Sequence, residues 1–456
     1  MVVGDVPTEA DVVVVGGGPG GYVAAIRAAQ LGMQVVLIDP GPPGGACLHY
    51  TCIPTKALLS ATEQAARLPR LAEMGIQING SCVDWEQMLA WKEGIVDRLA
   101  KGVRQLLDGH KVEIVEGRGW FLAERELRVE TAEHSLRYTF ERCILAVGAE
   151  PMPLAGLPFD HQRVLSAGEA LRRRELPPSL AVVGSSYVAA EVATVFARLG
   201  VPVRLLLPAG TRLLGEFDPL AGRVVATQLK KMGVKVEREV ADPAAAVGDA
   251  AQVVVAVGLA PRTADLRLNL PRIDTDELSF IRVDPRMRTS NERVYAVGDV
   301  NGLATLATAA IKQAKIAAED LAGLPVAYAP QAIPRVAWTD PPVASVGLTS
   351  AEAEAAGYTV AAGRFPLAAS GRALTLNAAD GVALVVAEKD SGVLLGATLV
   401  GAQAGDLIGE MTLALEMGAT LTDIAETLHA HPGLGEALQE ASEAALGAAV
   451  HLLRPV

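Results

Sequence analysis

The chain has 456 residues, a length that predicts about three domains at roughly 100 to 200 residues each and excludes a peptide hormone or disulfide miniprotein. It carries 40 Lys and Arg against 52 Asp and Glu, a net charge of −12, which disfavours nucleic acid or anionic membrane as main partner. No apolar run approaches the roughly 18 residues of a membrane helix, and residues 1–10 lack the basic segment of a signal peptide. We therefore expect a cytoplasmic protein that binds neither nucleic acid nor membrane.

The first predicted elements are a strand, a glycine-rich turn and a helix. Residues 11–15 form a short β-branched run, and residues 22–31 have the pattern of a helix. The turn between them has GxGxxG spacing, with Gly16, Gly18 and Gly21. A second strand over 34–38 ends in Asp39, which is placed to accept hydrogen bonds from ribose hydroxyls, while the glycines let a pyrophosphate approach the backbone. The pattern predicts a dinucleotide site, with a plain tight turn as the alternative.

The same order of elements recurs near residue 180. Strands over 180–183 and 203–207 flank a helix over 188–199. The turn keeps small residues at the fingerprint positions, and we assign four of its residues to a second nucleotide: Gly184, Ser185, Ser186 and Ala189. Leu207 stands where the ribose-binding acid is expected, so ribose recognition should differ here.

The strand ends of the two units also repeat each other. Residues 146–151 and 256–261 are two similar strand-to-glycine exits, which indicates a duplicated architecture. We assign Gly258, in the second exit, and Gly117 to the cofactor sites.

Elements outside these units set the domain boundaries. We predict helices over 84–107, 305–321, 406–417 and 434–449, and strands over 143–147, 253–257, 382–388 and 394–400. A proline-rich stretch over 325–342 marks the last change of composition. The predicted domains are 1–150 and 276–335 for the first nucleotide, 151–275 for the second, and 336–456 as a C-terminal domain.

Two of the four cysteines, Cys47 and Cys52, are close in sequence. Their four-residue gap and the lack of a second ligand pair argue against zinc. Pro54 lies in the first turn of a helix that starts near Cys52, where a thiolate is stabilised. A disulfide closing only this short loop would stabilise the fold by about 2 kcal/mol, so redox exchange explains the pair better than stability does. The alternative is a pair of buried, reduced cysteines.

With these motifs the chain resembles the flavin-dependent pyridine nucleotide disulfide oxidoreductases, in which a CxxxxC pair lies against FAD. The resemblance covers essentially the whole chain. It implies an α/β protein with two Rossmann-like dinucleotide-binding domains, for FAD and NAD, and a C-terminal α+β dimerisation domain. It also assigns cofactor residues: Lys56 near flavin N5, Glu191 paired with that lysine, Gly298 and Asp299 in the second FAD motif, and Ala307 beside the flavin.

His431 and Glu436, five residues apart, match the active-site histidine and glutamate of that family. A histidine alone is more often structural. Here the resemblance implies that His431 deprotonates a thiol substrate and that Glu436 orients it, roles that suit imidazole near neutral pH. We read His429 as structural.

The resemblance implies a homodimer that oxidises dihydrolipoamide, reduces NAD, and serves the lipoyl-bearing acyltransferase of a 2-oxo acid dehydrogenase complex, the branched-chain complex being one candidate. In this role the substrate thiol attacks Cys47, and Cys52 lies against the flavin. Residues 53–56 and 404–410 favour the lipoamide enzymes of the family. The alternatives are a glutathione reductase-like enzyme that uses NADPH and a catalytically idle nucleotide-binding module.

Overall fold

The computed structural model describes residues 7–80 and 82–453. Contacts divide the chain into two units. The first contains the chain up to Ala57, Glu86–Met152 and Gly258–Ala329, and the second contains Leu58–Trp85, Pro153–Val257 and the chain from Pro330. Among the helices that are described, none is long and apolar enough to cross a bilayer.

The chain up to residue 151 contains most of the first unit. Its elements are β1 (Thr8–Val15), α1 (Pro19–Gln30), β2 (Val35–Asp39), α2 (Gly45–His49), α3 (Cys52–Arg67), α4 (Trp85–Gly109), β3 (Glu113–Glu116), β4 (Arg118–Ala123), β5 (Glu126–Glu130), β6 (Ser135–Leu145) and β7 (Ala149–Pro151). Helix α1 begins earlier than predicted because Pro19 suits the first helical turn. The third fingerprint glycine, Gly21, therefore lies inside the helix.

Residues 153–257 form a five-stranded parallel sheet in the second unit. The elements are β8 (Val164–Leu165), α5 (Ala167–Ala170), β9 (Leu180–Val183), α6 (Tyr187–Arg198), β10 (Val203–Pro208), α7 (Pro219–Lys231), β11 (Lys235–Val240), α8 (Pro243–Ala246) and β12 (Gln252–Val255). The strand order is β11-β10-β9-β12-β8. This is an α/β nucleotide-binding arrangement, as the sequence predicts.

Residues 258–329 complete the first unit with β13 (Leu259–Pro261), β14 (Val294–Ala296) and α9 (Ala307–Leu321). The first unit's main sheet has the order β3-β2-β1-β6-β5-β4, and β14 lies parallel to the end of β6. The two predicted strand exits pair with each other, because β13 is antiparallel to β7. The predicted boundary at residue 275 lies inside this segment.

The remaining described residues form an antiparallel sheet with helices. The elements are β15 (Arg335–Ala337), β16 (Val343–Gly347), α10 (Ser350–Ala355), β17 (Val360–Pro366), α11 (Gly371–Thr375), β18 (Val382–Glu388), β19 (Leu394–Val400), α12 (Ala404–Glu416), α13 (Leu421–Glu426) and α14 (Glu436–Ala445). The sheet order is β15-β16-β19-β18-β17. The last predicted helix is shorter than expected at both ends, and Glu436 is its first residue.

Equivalent backbone hydrogen bonds relate the two nucleotide units. The first loop glycine donates to the neighbouring strand, from Gly16 to Ile38 (2.7 Å) and from Gly184 to Leu206 (3.0 Å). In each unit a second bond joins the strand exit to the strand before the glycine loop. The N–H of Ala146 donates to the carbonyl of Val15 (2.7 Å), and the N–H of Ala256 donates to the carbonyl of Val183 (2.8 Å). The repeat confirms the duplicated architecture and places Leu207 at the position of Asp39.

Candidate active site and nucleotide sites

The first glycine loop is shaped by close backbone contacts. Gly16 has a φ of +104°, and a Cβ on it would overlap the carbonyl oxygen of Ala146. A Cβ on Gly21 would overlap the carbonyl oxygen of Gly16, so α1 packs against β1 only with glycine there. Gly18, in contrast, faces open space at the start of α1. The loop therefore leaves room for a phosphate at a helix N-terminus, as FAD requires.

Asp39 lies at the end of β2 beside this loop. Its carboxylate accepts the N–H groups of Gly17 (2.5 Å) and Gly41 (2.8 Å). Burial raises the pKa of Asp39, although these two bonds oppose the shift. Gly117 donates its N–H to the Asp39 carbonyl (3.0 Å), which places Gly117 at the same strand end. Asp39 is thus a fixed acceptor of the kind that ribose hydroxyls bind.

Two glycines that the GxGxxG motif does not reveal, Gly44 and Gly45, join the first glycine loop to the segment that contains the cysteines. Gly44 donates its N–H to Gly17 (2.8 Å), and a Cβ on Gly45 would lie 2.5 Å from the Cα of Gly18. Helix α2 starts at Gly45 and contains Cys47. The double glycine just before Cys47 was the available signal, since close backbone approach commonly requires glycine.

Cys47 and Cys52 are both thiols in this structure. The pKa of Cys52 is lowered to about 6, chiefly by the hydrogen bond from Cys47. Burial opposes this shift, while the Thr51 hydroxyl, 3.7 Å from Sγ, and the Lys56 charge contribute to it. The same hydrogen bond, together with burial, raises the pKa of Cys47. The reduced pair therefore holds one thiolate, on Cys52, as a nucleophilic or redox cysteine requires.

The structure brings Lys56 and Asp299 to the same cysteines. The charge of Lys56 lowers the pKa of Cys47, and that of Asp299 raises it. Burial raises the pKa of Asp299, and no described group donates a hydrogen bond to its carboxylate. A largely buried carboxylate without a protein donor fits a ligand rich in hydroxyl groups, such as the ribityl chain of FAD.

Two more predicted FAD residues flank Asp299. Gly298 has a φ of +77° and donates its N–H to the Gln313 side chain (2.7 Å). Ala307, half-buried, is the first residue of α9. Both belong to the first unit, together with the fingerprint loop and the cysteines.

The second glycine loop differs from the first in its side chains. Gly184 has a φ of +148°, and the Ser186 hydroxyl is 3.5 Å from the carbonyl oxygen of Ala256. Ala189 is fully buried, so this loop accommodates the Cβ that the first loop excludes. Gly258 follows the strand exit and accepts the Met152 N–H (3.0 Å).

The sequence offers two arginines near the ribose end of this second loop, and in the described part of the chain both have protein acceptors. Leu207 is buried, at 2% exposure. Arg204 makes two hydrogen bonds to Glu237 (2.7 and 3.0 Å). Arg212 donates to the carbonyls of Gly215 (2.8 Å) and Phe217 (3.0 Å). Because both arginines have protein acceptors, they do not form a ready site for a 2′-phosphate.

Glu191 is buried in α6, with 2% exposure. Its Oε1 accepts the backbone N–H of Trp338 at 2.9 Å. Both residues lie in the second unit, so this bond ties the nucleotide-binding helix to the chain that follows residue 330.

His431 and Glu436 are hydrogen-bonded, with 2.7 Å between Nδ1 and Oε1. The second carboxylate oxygen accepts the N–H of Gly433 (2.7 Å). These bonds lower the pKa of Glu436 despite an opposing effect of burial. The His431 side chain is 83% exposed. The ring is thus oriented through Nδ1 and leaves Nε2 for a substrate proton.

A second histidine–glutamate pair lies beside the first. His429 bonds to Glu410 through Nε2 (2.8 Å) and to the Thr427 carbonyl through Nδ1 (2.9 Å), and its side chain is 9% exposed. Since both partners are acceptors, both ring nitrogens act as donors when both bonds are made. Sequence reasoning missed Glu410, which is 19 residues away and in another helix.

Comparisons with known proteins identify the family of the chain. The family model described as pyridine nucleotide-disulphide oxidoreductase matches residues 10–314, and the dimerisation domain of the same family matches residues 333–442. Dihydrolipoyl dehydrogenase of Haloferax volcanii is 41% identical over 475 residues, covering 99% of this chain and 100% of the relative. The corresponding proteins of Geobacillus stearothermophilus and Thermus scotoductus are 41% and 42% identical, covering 99% and 97% of this chain and 100% and 99% of theirs.

Solved structures are similar over nearly the same length. LpdA from Mycobacterium tuberculosis superposes with a TM-score of 0.87 at 25% identity, covering 96% of this chain and 99% of that one. The flavoprotein disulfide reductase RclA from Escherichia coli has a TM-score of 0.85 at 22% identity, covering 96% and 99%, and shows the fold alone.

Proposed function

The chain belongs to the pyridine nucleotide-disulphide oxidoreductase family, as its motifs predict, and we propose that it oxidises dihydrolipoamide to lipoamide and reduces NAD. The relatives that match over their full length at about 40% identity are named dihydrolipoyl dehydrogenase, which is this activity. The observation that carries the proposal is the hydrogen-bonded pair of Cys47 and Cys52, in which the pKa of Cys52 is lowered and the charges of Lys56 and Asp299 act on the thiols. A structural cysteine pair has no need of a lowered thiol pKa.

FAD fits the first unit. The turn from Gly16 to Gly21 would hold its pyrophosphate, Asp39 would bind the adenosine ribose, and Asp299 would bind the ribityl chain. Bound FAD supplies the two-electron chemistry that links the cysteine pair to NAD. The residues of the second loop, Gly184 and Ser186 among them, hold the NAD pyrophosphate.

The residues of this chain carry out the thiol chemistry. His431 Nε2 takes the proton of one dihydrolipoamide thiol, while Glu436 holds Nδ1. The thiolate attacks Cys47 Sγ in the Cys47–Cys52 disulfide, and Cys52 leaves as a thiolate that Thr51 and Lys56 stabilise. The second substrate thiol then attacks the sulfur bound to Cys47, releasing lipoamide and leaving the cysteines with the two electrons.

The working unit that we infer is a homodimer in the cytoplasm. The family of the 333–442 segment is a dimerisation domain, and the exposed ring of His431 is available to a second copy. In this arrangement the first unit binds FAD, residues 153–257 bind NAD, and the chain from Pro330 forms the interface. The electron donor is the lipoyl group of an acyltransferase in a 2-oxo acid dehydrogenase complex, and the branched-chain complex is one candidate.

One pair of assays tests the proposed function. Purified holoenzyme is given dihydrolipoamide with NAD, and separately oxidised glutathione with NADPH. We expect turnover in the first assay and little in the second, because Arg204 and Arg212 have protein acceptors. A preference for glutathione and NADPH would contradict the proposal. A flavin colour that NADH fails to change without oxygen would instead indicate an idle module.

A further inference from the structure

A carboxylate occupies the helix N-terminus of the second nucleotide loop. Oε1 of Glu216 accepts the backbone N–H of Tyr187 at 2.8 Å. Tyr187 is the first residue of α6, and the preceding Ser186 makes no side-chain capping bond. Glu216 is therefore the group that satisfies this first helical N–H, at a place where anions are stabilised by the helix dipole.

The segment that carries Glu216 is fixed on the loop. It joins β10 to α7, and its apolar residues Leu213, Leu214 and Phe217 are at most 4% exposed. The N–H of Leu214 donates to the carbonyl of Ser185, inside the nucleotide loop, at 2.7 Å. The packed turn thus fixes the backbone from which the half-buried Glu216 side chain reaches α6.

Among the described residues of the first unit, no carboxylate accepts the N–H of the first residue of the helix. Pro19 starts its helix and has no N–H to offer, and the acid of that unit, Asp39, bonds to Gly17 earlier in the loop. The second unit has the reverse arrangement: buried Leu207 at the ribose position and an acid at the phosphate end. A dinucleotide pyrophosphate binds through the N–H groups at the start of this helix, so it meets Glu216 there.

We propose that Glu216 competes with the coenzyme phosphates at the second loop and is displaced when the coenzyme binds. Its charge lowers the affinity for NAD and lowers the affinity for NADP more, because the 2′-phosphate makes NADP the more negatively charged coenzyme. Glu216 is then a specificity-determining residue that replaces the missing acid at Leu207. This inference rests on the proposed function, in which the second loop binds NAD.

The variant Glu216→Gln tests the inference, because its amide oxygen still accepts the Tyr187 N–H while the charge is lost. Binding of NAD and of NADP to the oxidised holoenzyme is measured by titration calorimetry. We expect the Kd for NAD to fall about two- to fivefold, the size of one charge at a helix end, and the Kd for NADP to fall by more. Glu216→Ala should act in the same direction.

Glu239→Gln is the matched control. Glu239 lies in β11 and accepts the Gly210 N–H at 3.0 Å, so this change removes one charge near the same segment without touching α6. We expect both Kd values to stay at the wild-type level. If both Kd values fell equally in the control, the effect would come from the net charge of the protein, and the inference would be overturned.

Two other outcomes separate this inference from the proposed function. If wild-type protein binds NAD and Glu216→Gln binds it equally or more weakly, Glu216 is no competitor, and weaker binding would mean that it holds the coenzyme. If wild-type protein binds neither NAD nor NADP, the assignment of the second loop fails, and the proposed function fails with it.

Discussion

Glu436 holds His431 by a 2.7 Å bond to Nδ1, while its second oxygen accepts the N–H of Gly433. These bonds lower the pKa of Glu436 although burial raises it, so the carboxylate is ionised at neutral pH. It fixes the proton on Nδ1 and directs Nε2 outward. Protonation of Glu436 at low pH removes this orientation.

Replacing His431, the proposed base, should affect only the half of the reaction in which the substrate thiols are oxidised. We expect His431→Gln to lower kcat with dihydrolipoamide by roughly 10² to 10⁴, the usual contribution of a general base, and Glu436→Gln to lower it less. Oxidation of NADH by an artificial electron acceptor, which needs no thiol deprotonation, serves as the control and should be unchanged. Equal losses in both assays would mean that the variants are damaged elsewhere.

The two cysteines should differ in the spectrum of the reduced enzyme. Both Cys47→Ser and Cys52→Ser should abolish lipoamide turnover, but we propose that only the thiolate of Cys52, the cysteine with the lowered pKa, contacts the flavin. Cys47→Ser should keep a long-wavelength thiolate-to-flavin absorbance, and Cys52→Ser should lose it. The opposite pattern would reverse the two roles.

The pH dependence of that absorbance follows from the thiol pKa. The pKa of Cys52 is lowered to about 6, chiefly by the hydrogen bond from Cys47. In the two-electron-reduced wild type the thiolate band should be complete well above pH 6 and should fade as the pH drops through about 6. A band that persists unchanged to pH 4 would show that the absorbing group is another one.

The sequence reveals local motifs, but it does not reveal contacts between residues that are far apart in the chain. The two glycine loops were readable because turn glycines and flanking strands are close together in the chain, and the structure repeats their hydrogen bonds. The start of α1 at Pro19 was missed because the fingerprint glycines resemble a turn, whereas Gly21 lies inside the helix. Glu216 and Glu410 carry no local pattern, since their partners Tyr187 and His429 are reached only through the fold.

The pair formed by Glu410 and His429 gives a prediction about the neighbouring base. The charge of His429 helps to lower the pKa of Glu436. In Glu410→Gln that positive charge loses its carboxylate partner and acts on Glu436 with less compensation. The acid limb of kcat/KM against pH should therefore move downward by about 0.2 to 0.7 pH unit, the equivalent of one exposed charge pair. If Glu410 were merely structural, its replacement would lower the stability of the protein and leave the acid limb of the pH profile in place.

Glu426→Gln provides the matched control for that measurement. Glu426 is exposed at the end of α13, and its replacement by Gln removes the same charge. Its pH profile should coincide with that of the wild type. A shift of the same size in both variants would point to a general electrostatic effect.

Mixed dimers test most directly the central claim, that Cys47 and Cys52 of one chain work with His431 and Glu436 of its partner. An inactive Cys47→Ser chain is combined with an inactive His431→Gln chain, and mixed dimers are isolated with two different affinity tags. One site in each mixed dimer then holds an intact set and the other holds both lesions, so activity with dihydrolipoamide and NAD should return to about half of the wild-type value per dimer. Mixed dimers that form but stay inactive would contradict the claim and would mean that His431 acts within its own chain or is not the base.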